Sequence, residues 1–242
     1  MSNLHRFLCA GPIEQNSTVA LDADTAKHIW QVLRMKAGDA ILLTDGMGSL
    51  AEGLIQNAER HKCNVVIRKV TVTERQGNAL HLAIAFTKNN SRNEWLLEKA
   101  TELGVASIIP MTTTRSEKTH MRADRWEKIL QSAILQSQQN YLPHLAKIAP
   151  LPQVLKEYGG TAQKFVAHCI DDNSRKSFAG MLNKTGDTIL LIGPEGDFTA
   201  DEVNLCIVAG FTPVSLGRQR LRTETAAMAA AAYFNVMHDD QN

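Results

Sequence analysis

From Leu80 onward, short apolar runs alternate with segments patterned as helices, and this alternation limits the fold more than any other feature of the chain. Residues 80–86 read as a strand. A helix is expected to open at Ser91, with Glu94 three residues on completing a capping box, and to stop at Gly104. A buried strand is expected at 106–109, a long helix at 122–139, a strand at 145–148 and a short helix after Pro152. Further strands are expected at 164–168, 188–192 and 213–216. Parallel strands need crossover connections, so this order predicts an α/β fold with a mostly parallel sheet covered on both faces.

The first part of the chain has another rhythm. Residues 40–43 and 49–55 flank Asp45-Gly46 and predict a hairpin, and 64–73 is a third run rich in β-branched residues. One helix interrupts them, capped by Asp24, with Ile29, Val32 and Leu33 sharing a face and an end before Gly38. Gly46 and Gly48 read as turn chemistry in preference to a nucleotide loop. The polar, glycine-containing stretch 73–78 marks a boundary, giving a small β-rich domain at 1–73 and an α/β domain at 78–242.

Composition removes several classes of function. No stretch of the 242 residues approaches the roughly 20 apolar residues of a membrane span, and the first ten show no apolar run before a cleavage pattern, so a cytoplasmic location is expected and no membrane partner. Cys9, Cys63, Cys169 and Cys206 form no C-x-x-C pair, which suggests neither a disulfide framework nor a metal site. With Lys+Arg 26 against Asp+Glu 25, the chain is close to neutral and unsuited to coating nucleic acid. Any RNA contact must use a local patch.

Ligands of open α/β sheets bind beyond the carboxyl ends of strands, which directs attention to the loops after the last two strands. The first, Ile192-Gly193-Pro194-Glu195-Gly196-Asp197-Phe198, leads into a helix begun by Thr199, with Glu202 completing a capping box. Gly193 and Gly196 permit close backbone approach and positive φ, while Pro194 restricts the turn and removes a donor. Glu195 would repel phosphate, which disfavours ATP and NAD. An ordinary strand-to-helix turn explains this loop equally well.

The second loop, 216–225, shifts the balance. It runs Leu216-Gly217-Arg218-Gln219-Arg220-Leu221-Arg222-Thr223-Glu224-Thr225 into an alanine-rich helix. A solvated loop with Thr223 as N-cap accounts for the polarity, but not for both charge signs crowded between two apolar elements. The alanines themselves suit close packing against the sheet or a partner subunit.

Together, I-G-P-E-G at 192–196 and L-G-x-x-x-L-R-T-E-T-A at 216–226 resemble the ribosomal RNA small subunit methyltransferase E family of the SPOUT superfamily. Glu98-Lys99-Ala100-Thr101-Glu102-Leu103-Gly104-Val105, Arg115, His28 with Val32-Leu33-Arg34-Met35, and Arg6-Phe7 extend the resemblance along nearly the whole chain. It implies an N-terminal PUA-like β-barrel that binds RNA and a C-terminal SPOUT domain tied in a trefoil knot, which chain-topology rules would otherwise forbid. It also implies a homodimer, S-adenosylmethionine as methyl donor, and N3 of a uridine in 16S rRNA of the small ribosomal subunit as acceptor. DNA is not an expected partner.

In such a protein the cofactor would lie among His168, Ile192, Gly193, Pro194, Glu195, Gly196, Leu216, Gly217, Leu221, Arg222, Thr223 and Thr225. N3 of uracil is a weakly acidic imide that must be unpaired or flipped out to react. Its deprotonation loads the flanking carbonyls with charge, so Arg222 is the candidate to stabilise it or to orient the cofactor carboxylate. Glu224 would position Arg222 or bind the cofactor amine. Arg6, Arg34, Lys36, Arg115 and Lys118 are the RNA-contact candidates. The chain departs from the family pattern at Asp197, where glycine is usual, at Gln219, where arginine is common, and at 135–139, which lacks the common Glu and Arg. A knotted methyltransferase acting on another RNA position or a ribose hydroxyl, and an RNA-binding assembly factor without catalysis, are the competing readings.

Overall fold

The computed structural model describes residues 4–75, 77–117, 121–170 and 175–238. The chain divides into two compact units, one formed by 1–76 with 134–142 and the other by 77–133 with 143–242.

The first unit is a five-stranded sheet of β1 (Arg6–Leu8), β2 (Thr18–Leu21), β3 (Ala40–Thr44), β4 (Ser49–Glu59) and β5 (Lys62–Val72), in the order β1-β3-β4-β5-β2. β1 runs parallel to β3 and the other pairs are antiparallel. The Asp45-Gly46 hairpin forms as expected: the Asp45 carboxylate accepts from the Met47 and Ser49 amides, and Gly46 and Gly48 take φ of 70° and 110°. Alternation along β4 and β5 buries Ala51, Ile55, Cys63, Val65 and Ile67 against Phe7, Ile29, Ile41 and Leu43. α1 (Ala23–Lys27) starts two residues earlier than the sequence suggested. Asp22, in an extended conformation, accepts from the Thr25 amide at 2.9 Å and is the cap, and Asp24 sits in the first turn.

The second unit is a parallel sheet. Its strands are β6 (Leu80–Ile84), β7 (Ser107–Thr112), β8 (His144–Leu145), β9 (Ala149–Pro150), β10 (Gln163–Ala167), β11 (Lys176–Ser177), β12 (Thr188–Ile192) and β13 (Thr212–Ser215). Their order is β11-β13-β10-β12-β6-β7-β8, with β9 also on β7. The connecting helices are α2 (Asn90–Glu102), α3 (Ala123–Gln136), α4 (Leu151–Glu157), α5 (Phe178–Met181), α6 (Ala200–Val208) and α7 (Thr223–His238). Every residue of β12 is buried, as expected of a central parallel strand with both faces covered.

Local differences from expectation have local causes. Asn89, not Ser91, caps α2 by accepting from the Arg92 amide; Glu94 is drawn instead to Arg125, at 2.5 and 2.6 Å. The single strand expected at 145–148 is split into β8 and β9. α3 ends at Gln136, and Gln138 takes a left-handed φ of 59°.

Candidate active site

Parallel pairing places the carboxyl ends of β13, β10 and β12 side by side, because these strands are neighbours in register. The chain segments leaving them therefore meet, although residues 168, 193 and 216 are far apart in sequence. They enclose a cleft of about 280 Å³ whose wall includes His168, Ile192, Gly193, Pro194, Glu195, Leu216, Gly217, Leu221, Arg222, Thr223 and Glu224. Gly196 and Thr225, also expected there, are not on that wall.

The loop after β12 is a turn in which the Asp197 amide donates to the Pro194 carbonyl at 2.9 Å. Neither Gly193 nor Gly196 has positive φ; the left-handed residue is Asp197, at 62°. Aspartate tolerates this conformation better than most side chains. Its carboxylate accepts from the Cys169 amide at 2.7 Å and from the Phe198 amide at 2.9 Å. Glycine at 193 serves close packing instead: a Cβ there would lie 3.1 Å from the buried Phe198 ring, a tight contact. A Cβ on Gly196 would press on Arg115, whose guanidinium donates to the Gly196 carbonyl at 2.7 Å. Arg115 thus braces this loop.

The loop after β13 closes against it. Thr223 does not cap α7. Its hydroxyl donates to the Gly193 carbonyl at 3.0 Å, and the Arg222 carbonyl accepts the first helical bond, from the Ala226 amide at 2.8 Å. Gly217, at φ 147°, has nothing within 4 Å of where a Cβ would stand, leaving room for a flat ligand above the backbone. Arg222 is exposed on the cleft wall.

Glu224 is 9% exposed. The expected pairing with Arg222 is replaced by one with Arg92 of α2, whose Nε lies 3.6 Å from Glu224 Oε1. Glu224 Oε2 is buried with no hydrogen-bond partner among the described residues. A carboxylate oxygen left in that state calls for a cation or a donor from a ligand. Arg92, Cys169, Arg175 and Asp197 join the wall without having been expected there as cofactor-binding residues. Only Asp197 carried a signal in the sequence, as a departure from the family glycine.

These residues fit S-adenosylmethionine. Ala167, Ile192, Val214, Leu216 and Leu221 offer apolar contact to a purine ring, and Glu224 Oε2 suits a sulfonium or ammonium cation.

Of the RNA-contact candidates, Arg6, Arg34 and Lys36 belong to the first unit and Arg115 to the second. Arg6 spends its guanidinium on the carbonyls of Gln138 and Gln139, at 2.6 and 2.7 Å, and on Asn140, and burial lowers its pKa. Arg34 and Lys36 are exposed along a groove of the first unit. Lys118 lies outside the described residues.

The parallel sheet with a two-loop cleft, joined in one chain to a small curled sheet, defines a SPOUT methyltransferase with a PUA-like domain. The model of the RNA methyltransferase domain matches residues 74–235, and that of the RNA methyltransferase PUA domain matches 21–68. Ribosomal RNA small subunit methyltransferase E of Synechocystis is 28% identical over 226 residues, which are 91% of this chain and 74% of its own length. Its counterpart in Mesomycoplasma hyopneumoniae is 30% identical over 168 residues, 67% of this chain and 72% of its own. The structure of ribosomal RNA small subunit methyltransferase E from Neisseria gonorrhoeae, bound to S-adenosylmethionine, has a TM-score of 0.84 and 28% identity, covering 97% of this chain and 98% of that one. The chain belongs to the ribosomal RNA small subunit methyltransferase E family.

Proposed function

We propose that this protein transfers a methyl group from S-adenosylmethionine to N3 of a specific uridine in 16S rRNA of the small ribosomal subunit, acting in the cytoplasm as a homodimer. The observation that carries the reading is the buried Glu224 carboxylate, with one oxygen unsatisfied, in a cleft whose two loops are tied by Thr223 and Gly193. The family membership supplies the chemistry.

When bound, S-adenosylmethionine supplies an electrophilic methyl group on a sulfonium. Glu224 Oε2 would hold the cationic side of the cofactor, with Arg92, 3.6 Å from Oε1, orienting that carboxylate. As N3 of uracil bonds to the methyl carbon, the sulfur–methyl bond would break, releasing S-adenosylhomocysteine, and the N3–H proton would pass to Glu195, the wall carboxylate not assigned to the cofactor. Arg222 stabilises the negative charge that this loss spreads over the flanking carbonyl oxygens. Asp197 and Arg115 hold the loop so that these groups keep their places.

No helix among the described residues is long and apolar enough to cross a membrane.

The test is Arg222→Ala, assayed for methyl transfer to isolated small subunits with cofactor binding measured in parallel. Transfer is expected to fall by about 100-fold or more, the scale of losing one preorganised donor to a developing anion. Unchanged binding then assigns Arg222 to the acceptor, and a matching loss of binding assigns it to the cofactor carboxylate. Wild-type transfer contradicts both roles.

A further inference from the structure

The first unit carries a second concavity, remote in sequence from the loops just described: a groove of about 560 Å³ with Trp30, Arg34, Met35, Lys36, Gln56, Asn57 and Glu59 on its wall. A lone exposed tryptophan needs no explanation. Here several irregularities converge on one.

Residues His28–Val32 form a π-helical turn, with the Leu33 amide donating to the His28 carbonyl at 3.0 Å. Such turns are rare and concentrate at functional sites. This one seats Ile29 in the core, fully buried, and leaves Trp30 45% exposed. Arg34 then adopts a left-handed φ of 54°, an uncommon conformation for a long side chain. On the other wall, the β4–β5 register slips between Ile55 and Asn57, leaving Gln56 exposed at the slip. The groove thus joins an aromatic face, two cations against the single carboxylate of Glu59, and an amide able both to donate and to accept.

We infer that Trp30 is a stacking platform for one unpaired base of the RNA substrate, with Arg34 and Lys36 on its backbone phosphates and Gln56 on its edge. The inference rests on the reading of this chain as an RNA methyltransferase, and the groove falls within the part matched as an RNA methyltransferase PUA domain. An unpaired base is the occupant that uses the ring, the Gln56 amide and both cations together: its face needs an aromatic ring, its edge an amide, its phosphates the cations. A duplex buries its faces and cannot stack there.

The test compares Trp30→Ala and Trp30→Phe with the unsubstituted full-length protein. For methyl transfer to isolated small subunits, Trp30→Ala is expected to raise KM about tenfold, the scale of losing one base stack, leaving kcat and S-adenosylmethionine binding unchanged, and Trp30→Phe to recover most of the loss. Binding of a labelled single-stranded oligouridylate is expected to weaken in parallel, whereas binding of a duplex RNA is not. An unchanged KM, a fall in kcat alone, or equal loss of both probes overturns the platform. If the unsubstituted protein methylates no small subunits, the reading of its activity fails, and the oligouridylate comparison decides the platform independently.

Discussion

The Thr223 hydroxyl donates to the Gly193 carbonyl at 3.0 Å, joining residues 30 apart in sequence, both of them buried. This bond fastens the loop after β13 to the loop after β12 and gives the cleft its closed side. Thr223→Val keeps the shape and leaves the carbonyl unsatisfied, so the protein is expected to lose about 1–3 kcal/mol in urea unfolding and to bind S-adenosylmethionine more weakly. Thr223→Ser is expected to restore both. A valine variant that melts and binds like the parent denies the bond an organising role.

The Arg92–Glu224 pair makes a separate prediction. Glu224→Gln removes the charge and keeps the shape, and should weaken cofactor binding about tenfold or more, the scale of one hydrogen bond to a charged group. Arg92→Ala should do the same by stranding the carboxylate, and Arg92→Lys should recover part of the loss. Titration calorimetry reads all three. Parent-like affinity in Arg92→Ala would separate Arg92 from the site.

Glu202 ties acid stability to the start of α6. Burial alone would raise its pKa, but hydrogen bonds from Thr199 and Thr114, the shortest at 2.7 Å from the Thr114 amide, outweigh burial and lower it from 4.5. A lowered folded pKa means that the carboxylate's contribution is complete above its unfolded pKa of 4.5 and is lost as pH falls through the lower folded value. Melting temperature followed downward from pH 7 should therefore drop more steeply for the parent than for Glu202→Gln. Parallel profiles would contradict the assignment.

The cysteines give a labelling test. Cys9, Cys63 and Cys206 are buried, and burial raises their pKa values, to about 11 for Cys9 and about 12 for Cys206. Cys169 is exposed on the cleft wall. Iodoacetamide under native conditions should label Cys169 first, and S-adenosylhomocysteine should slow that labelling. Mass spectrometry of tryptic peptides reads the site; labelling indifferent to the ligand would place the donor elsewhere.

Much of the fold is legible because periodicity reports burial. β12 is recovered residue for residue from its uninterrupted apolar run, and the Thr199–Glu202 capping box from two residues three apart. Asp22 and Asn89 displace the expected caps because neighbouring polar residues compete for the same amides, and only backbone conformation decides among them. The cleft loops are legible as unusual segments, but the Arg92–Glu224 pair is not. It joins the start of α2 to the start of α7, and no local pattern encodes a contact between chain segments more than a hundred residues apart. Asp197 shows the remaining limit: the sequence marks it as a departure from glycine, and the backbone at φ 62° with its bond to Cys169 explains how it is accommodated.

The most direct measurement is transfer of radiolabelled methyl groups from S-adenosylmethionine into isolated small subunits, followed by digestion of the 16S rRNA to nucleosides. Uridine N3 chemistry predicts that the label co-migrates with 3-methyluridine and disappears with the Arg222→Ala protein. Label in a ribose-methylated or other nucleoside, or none in RNA despite bound cofactor, contradicts it.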